Sequence, residues 1–135
     1  MSAEDRIQSG VIRWSKDQLF KAGWCSGPVR NYLFHVANGG FRNPRAAAKL
    51  KRMGVTAGVS DLFLAVPCNG WPGLWIELKA PGGRLSQPQR DFLGRMSVAG
   101  YQTAVTFSED ETKAVIAKYL SGGEAEVWRD EKPKR

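Results

Sequence analysis

One histidine, His35, and two cysteines, Cys25 and Cys68, are all the imidazole and thiol side chains in this chain of 135 residues. No Cys-x-x-Cys occurs, and a structural zinc site takes about four such ligands, which argues against zinc as an organising centre. The same shortage rules out a disulfide framework and fits a reducing cytosol. No apolar stretch approaches the ~20 residues of a membrane span. Met1-Ser2-Ala3-Glu4-Asp5 lacks the basic-then-apolar order of a signal peptide. There is no internal repeat. Acidic residues are also scarce: 13 Asp and Glu against 20 Lys and Arg leave a net charge of +7. The resulting pI of about 9.7 bears on partners and not on fold. It favours polyanions, nucleic acid foremost, with plain solubility as the alternative.

What is present is an ordinary globular composition, 42% hydrophobic and 24% charged. The length suits one domain, and such a domain buries roughly two-thirds of its unfolded surface. Residues 3 to 22 read as a helix: Ile7, Val11 and Trp14 recur at helical spacing, and Ile12 and Leu19 widen the stripe. Ser2 is its candidate cap, with Glu4 and Asp5 in the first turn. Residues 31–36 read as a strand, ended by Asn38-Gly39-Gly40. Asn43-Pro44 opens a helix that stops at Gly54 and carries Arg45, Lys49, Lys51 and Arg52. Residues 62–66 and 74–79 are strands, 87–98 a helix, 101–107 a strand and 109–120 a helix. From residue 121 on, glycine and charge predict a mobile tail, with Val127-Trp128 the only segment suited to packing back. The order fits an α/β domain over residues 1–120, a central mixed β-sheet flanked by α-helices. The strands at 62–66 and 74–79 are joined by too few residues for a crossover and must pair antiparallel.

Those two strands carry the chemistry. Gly58-Val59-Ser60-Asp61 leads into the first, and the second reads Leu74-Trp75-Ile76-Glu77-Leu78-Lys79. Charges inside apolar strands need a partner or a metal. Alternation puts Trp75, Glu77 and Lys79 on one face. A hairpin symmetric about Gly70 sets Asp61 opposite Lys79 and Phe63 opposite Glu77, leaving the two carboxylates diagonal neighbours about 7 Å apart at the backbone. Two such carboxylates suit one Mg2+ or Mn2+ ion. A one-residue change in the loop would send them to opposite faces. With the ion, a phosphodiester becomes attackable, and the Lys79 ammonium is placed to orient water or stabilise the pentacovalent transition state. The plainer reading is a structural salt bridge between Lys79 and either acid. It weakens because the flanks are apolar, Gly58 gives close backbone access, and Ser86-Gln87-Pro88-Gln89 supplies a further polar group. That last motif is also a capping box, Ser86 with Gln89. Glu4, one turn before Ile7, reads either as a site ligand or as an acid favoured by the helix dipole.

Taken together, five segments resemble the VRR-NUC domain, a branch of the PD-(D/E)XK nucleases. They are Glu4-Asp5-Arg6-Ile7-Gln8, His35-Val36-Ala37-Asn38-Gly39-Gly40, Gly58-Val59-Ser60-Asp61-Leu62, Ile76-Glu77-Leu78-Lys79-Ala80-Pro81 and Ser86-Gln87-Pro88-Gln89. The resemblance implies a restriction-endonuclease-like core. It implies that Glu4, Asp61, Glu77 and the backbone carbonyl of Leu78 surround the metal, that Lys79 is the catalytic lysine and that Gln89 supports the site. Gln8, His35, Asn38 and Ser86 become site neighbours, although a partly buried strand histidine is also a common structural residue. Ser60 stands where the family has proline, and the ligand beside it is intact. The short stand-alone form is similar to phage or prophage members acting in the bacterial cytoplasm. The family implies Mg2+- or Mn2+-dependent endonuclease action on structured DNA, with small members resembling homodimers that resolve four-way junctions. Arg42, Arg45, Lys49, Lys51, Arg52 and Arg84 are the candidate phosphate contacts. The rival expectations are a nucleic-acid-binding module with a silent site, a flap or nicking nuclease, and an RNA-directed enzyme.

Overall fold

In the computed structural model, which describes residues 1–37 and 43–122, the chain begins with helix α1 (Ala3–Ser15) and strands β1 (Leu19–Ala22) and β2 (Cys25–Pro28). A 3-10 turn (Val29–Asn31), β3 (Leu33–His35), α2 (Pro44–Arg52), β4 (Leu62–Leu64) and β5 (Leu74–Leu78) follow. The remaining elements are α3 (Gln87–Val98), β6 (Gln102–Thr106) and α4 (Glu109–Leu120). Asn38, Arg42 and the tail from residue 123, with Val127 and Trp128, lie outside the described residues.

The caps stand where their sequence signals are. Ser2 and Asp5 form a reciprocal capping box on α1, Asn43 accepts from Arg45 and Ala46 at the start of α2, and Ser108 caps α4. One expectation fails. The helix anticipated over residues 3 to 22 ends at Ser15, and Leu19, assigned to its stripe, lies exposed on β1. Ile7, Val11 and Trp14 all lie within the true helix, so its periodicity never depended on Leu19. Beyond it, β1 and β2 form a separate two-stranded sheet with Ala22 paired to Cys25. Gly23, at φ 60°, takes the first position of the two-residue turn, where glycine is favoured.

The main sheet has the order β3-β4-β5-β6. β3–β4 and β4–β5 are antiparallel, and β5–β6 is parallel with α3 as the crossover. One face carries Leu33, Leu62, Leu64, Leu74, Ile76 and Leu78, buried with Val11 of α1 and Val115, Ile116 and Tyr119 of α4. Burying each such aliphatic side chain contributes about 1.5–3 kcal/mol, so this layer is the main source of stability. The opposite face carries Phe34, Phe63 and Trp75, which meet Tyr101 and, from α3, Phe92, with Phe63 and Trp75 rings 4.3 Å apart. Alternation places Asp61 and Glu77 on this second face, toward α3.

The hairpin register differs from the one expected. Leu62 pairs with Ile76, Phe63 with Trp75 and Leu64 with Leu74. One step outward, Asp61 lies directly opposite Glu77, not opposite Lys79. The turn explains the difference. Asn69 (φ 52°) and Gly70 (φ 87°) form a two-residue connection in which Cys68 pairs with Trp71. Between that bridge and the strands, three residues on the first arm (Ala65, Val66, Pro67) oppose two on the second (Pro72, Gly73). This is a bulge. The unbulged turn would have set Asp61 opposite Leu78 and sent the two acids to opposite faces.

Candidate active site

Four elements end at one rim of the sheet: β3 and β5 at their C-termini, β4 and α3 at their N-termini. Asp61 is half-buried there and Glu77 is 3% exposed. The Asp61 carboxylate reaches across the strands, its Oδ2 accepting the Leu78 backbone N–H at 2.8 Å. Glu77 Oε2 accepts from the Gln89 side-chain amide at 3.1 Å and lies 3.7 Å from the Lys79 ammonium. Lys79 is itself only 8% exposed, so both charges of this ion pair are withdrawn from water. Burial raises the carboxyl pKa of both acids. Glu77 is pushed up to about 8, first by burial and then by the adjacent Asp61 charge, with Lys79 pulling the other way. The two carboxyl groups are electrostatic neighbours, each among the causes of the other's shift.

Gln89 does both things its motif suggested. Ser86 Oγ accepts from the Gln89 N–H at 3.3 Å, and Gln89 Oε1 accepts from the Ser86 N–H at 2.8 Å. The cap occupies the oxygen end of the amide and turns its NH2 toward Glu77. Gly58 permits the approach. It sits at φ 83°, and a Cβ there would collide with the Pro88 carbonyl and come within 2.8 Å of the Gln89 nitrogen. The glycine before Asp61 thus seats the start of α3 against the loop.

Glu4 arrives from α1, on the other side of the sheet, and its Oε2 accepts from the Ala80 N–H at 3.3 Å. It is at the edge of the site, and its charge raises both Asp61 and Glu77. The four expected groups therefore gather unequally. Among the described residues, no three acidic, histidine or cysteine side chains close into a metal cluster. Gln8 is half-buried one turn further along the Glu4 face of α1. His35 is exposed, contrary to the partly buried strand residue expected, because β3 is an edge strand. Its ring Nδ1–H donates to the Asp61 backbone carbonyl at 2.7 Å, which points Nε2 outward. Ser60 is fully buried with no partner for its Oγ among the described residues.

Arg45, Lys49, Lys51 and Arg52 are all exposed on α2, a helix without a buried residue. Arg45, Lys49 and Arg52 share one side at i, i+4 and i+7. Arg84 is exposed in the loop between β5 and α3, and Ser86 is exposed at the cap.

The donor set fits a hard divalent cation. It is all oxygen, and Mg2+ is commonly held by one or two carboxylates with water completing the shell. Glu77 Oε1 is buried with no hydrogen-bond partner, an acceptor with unused capacity beside Asp61. Reasoning from sequence missed the Leu78 N–H as the anchor of Asp61 and Ala80 N–H as that of Glu4. Neither leaves a side-chain signal. No helix among the described residues is long and apolar enough to cross a membrane.

The VRR-NUC domain family model matches residues 6–110, a span containing Asp61, Glu77, Lys79 and Gln89, with Glu4 just before it. A solved structure described as a VRR_NUC domain protein is 31% identical, covers 92% of this chain and 93% of its own, and superposes with a TM-score of 0.77. No curated protein matches the chain. The sheet order, the paired acids with their lysine and these two matches agree: the chain belongs to the VRR-NUC family of nuclease domains, of the PD-(D/E)XK type.

Proposed function

We propose that this protein is an Mg2+- or Mn2+-dependent endonuclease that hydrolyses phosphodiesters of branched DNA, with two copies acting on a four-way junction. The observation that carries the reading is the facing pair of half-buried Asp61 and buried Glu77, with the Lys79 ammonium 3.7 Å from Glu77. In a protein of net charge +7, two acids forced together at one buried rim are best explained by a cation that relieves their repulsion.

Asp61 and Glu77 would hold the ion, with Glu4 and the Leu78 carbonyl as further oxygen donors at the same rim. Bound there, Mg2+ or Mn2+ supplies Lewis acidity toward phosphate oxygens and lowers the pKa of water. The chain's own groups do the rest. The Lys79 ammonium stabilises charge on the pentacovalent phosphate. The Gln89 amide fixes the Glu77 carboxylate, leaving Oε1 for the ion. Glu4 is held in place by the Ala80 N–H. Arg45, Lys49, Lys51, Arg52 and Arg84, with Arg42, position the backbone of the DNA without reading its sequence. Two sites related by a two-fold axis match a junction of the same symmetry.

The test is cleavage of labelled duplex, flap, nicked and four-way-junction DNA, and of matched RNA, with Mg2+, Mn2+ or EDTA. Metal-dependent, paired incisions in the junction are expected. Salt-sensitive binding without any metal-dependent cut would establish a silent binding module instead. Preferred cutting of flaps, nicks or RNA would replace the junction assignment. A monomer by light scattering at micromolar concentration would remove the two-copy arrangement.

A further inference from the structure

The bulge that brings Asp61 and Glu77 onto one face needs something to hold it. An extra residue in a ladder leaves backbone groups without strand partners, and a buried carbonyl cannot stay unpaired. Among the described residues, no backbone N–H of a turn or loop reaches the Val66 carbonyl, and Val66 is fully buried. The group that reaches it comes from α4. Tyr119, with no exposed surface, donates its hydroxyl to Val66 O at 2.7 Å, and the same hydroxyl lies 3.3 Å from Trp71 O on the other arm. One phenol therefore spans both arms inside the bulge. A second tie runs in reverse: Cys68 Sγ donates to the Tyr119 carbonyl at 3.1 Å, fastening the last turn of α4 to the hairpin tip. The tip itself is closed by reciprocal Cys68–Trp71 backbone bonds of 2.8 and 2.9 Å.

We infer that Tyr119 is a positioning residue for the metal site, acting through the β4–β5 register. Val66 lies five positions beyond Asp61, about 17 Å along a strand, and Tyr119 has no exposed surface, so the phenol is remote from the metal ligands and from any DNA. Its hydroxyl selects the arrangement in which three residues face two. That arrangement sets Asp61 against Glu77, where the slipped one would set it against Leu78. Burial also keeps the phenol proton in place well beyond the ordinary range of tyrosine, so it remains a donor at any working pH. This inference rests on the nuclease reading only for its consequence. The register claim stands on geometry alone.

The experiment compares the full-length protein with Tyr119→Phe and with Ile116→Val, a buried change one turn earlier in α4 that touches the same core without a hydrogen bond. Three quantities are read: Mn2+ affinity by calorimetry, hydrogen exchange of the Leu64 and Leu74 amides, whose residues are partners only in the three-against-two register, and kcat against KM for junction DNA. Tyr119→Phe is expected to weaken Mn2+ binding about tenfold, the lower range for loss of a group that orients ligands. It should also accelerate exchange at both amides and lower kcat with KM unchanged. Ile116→Val should lose thermal stability with none of these effects. Wild-type Mn2+ affinity and wild-type amide protection in Tyr119→Phe would overturn the inference and leave the hydroxyl a stabilising contact only. If the wild-type protein neither binds Mn2+ nor cuts DNA, the nuclease reading falls. The exchange comparison still decides whether Tyr119 holds the register.

Discussion

The carboxylate of Asp61 accepts the backbone N–H of Leu78 at 2.8 Å, so an acid on one strand is pinned to the next strand one residue beyond its partner Glu77. The bond is made to the backbone, and it fixes Asp61 whatever side chain occupies position 78. It also implies that the folding role of Asp61 can be separated from the metal role proposed for it.

Asp61→Asn is the separating change. The amide oxygen still accepts from Leu78, and the repulsion with Glu77 is gone. Thermal stability without metal should match or exceed wild type, and metal-dependent cleavage should fall by at least about a hundredfold. Melting curves and initial rates on junction DNA check both halves. A folded variant with wild-type rates would remove Asp61 from the ligand set.

The pH dependence follows from Glu77. Its folded carboxyl is raised from 4.5 to about 8, so between those values the folded protein keeps a proton that the unfolded chain has released. The stabilising contribution is complete below about 4.5 and is lost as pH rises through 8. Asp61 is raised as well and acts with the same sign. Metal-free melting temperature should therefore fall from pH 5 to pH 9, and Glu77→Gln should flatten the slope. Excess Mn2+ should raise the melting temperature most at the alkaline end, with proton release on binding below pH 8 measurable by calorimetry in two buffers. A metal-free melting temperature that rises over that interval would contradict the buried pair.

Lys79 separates binding from chemistry. Lys79→Met keeps the stem and removes the cation that competes for Glu77. Cleavage should drop by about 10²–10³, the usual loss for one transition-state donor, while Mn2+ affinity holds or increases. Single-turnover rates at saturating metal, beside a titration, would show this. A parallel loss of metal affinity would make Lys79 a structural counter-ion.

At the start of α3, Ser86→Ala and Gln89→Ala should diverge. Both break the capping box, at about 1 kcal/mol of stability. Only Gln89→Ala also frees Glu77. Urea melts should show similar destabilisation, with cleavage falling further in Gln89→Ala. Equal rates would reduce the motif to its cap.

Much of the candidate site was legible before the fold. Asp61, Glu77 and Lys79 stood out as charges in apolar strands. The extents of α3 and α4, the antiparallel pairing of β4 with β5 and the mixed sheet came from periodicity and loop length. These features are local: each depends on neighbours within a turn or a strand. The β1–β2 hairpin was hidden because Leu19 and Phe20 extend the apolar pattern of α1, so a four-residue strand could not compete with it. The same limit applied to His35, whose exposure depends on β3 lying at the sheet edge.

The amino-acid order by itself determined which residues could do the chemistry, because charge, apolar flanks and strand alternation are properties of a few consecutive positions. Tertiary structure decided how they meet. A symmetric loop put Asp61 opposite Lys79, and the two-residue Asn69-Gly70 turn alone puts it opposite Leu78. Only the bulge at Val66, closed by a tyrosine 53 residues further along the chain, puts it opposite Glu77. Register is a count across two strands, and here the group that settles the count comes from a distant helix, beyond the reach of any local pattern.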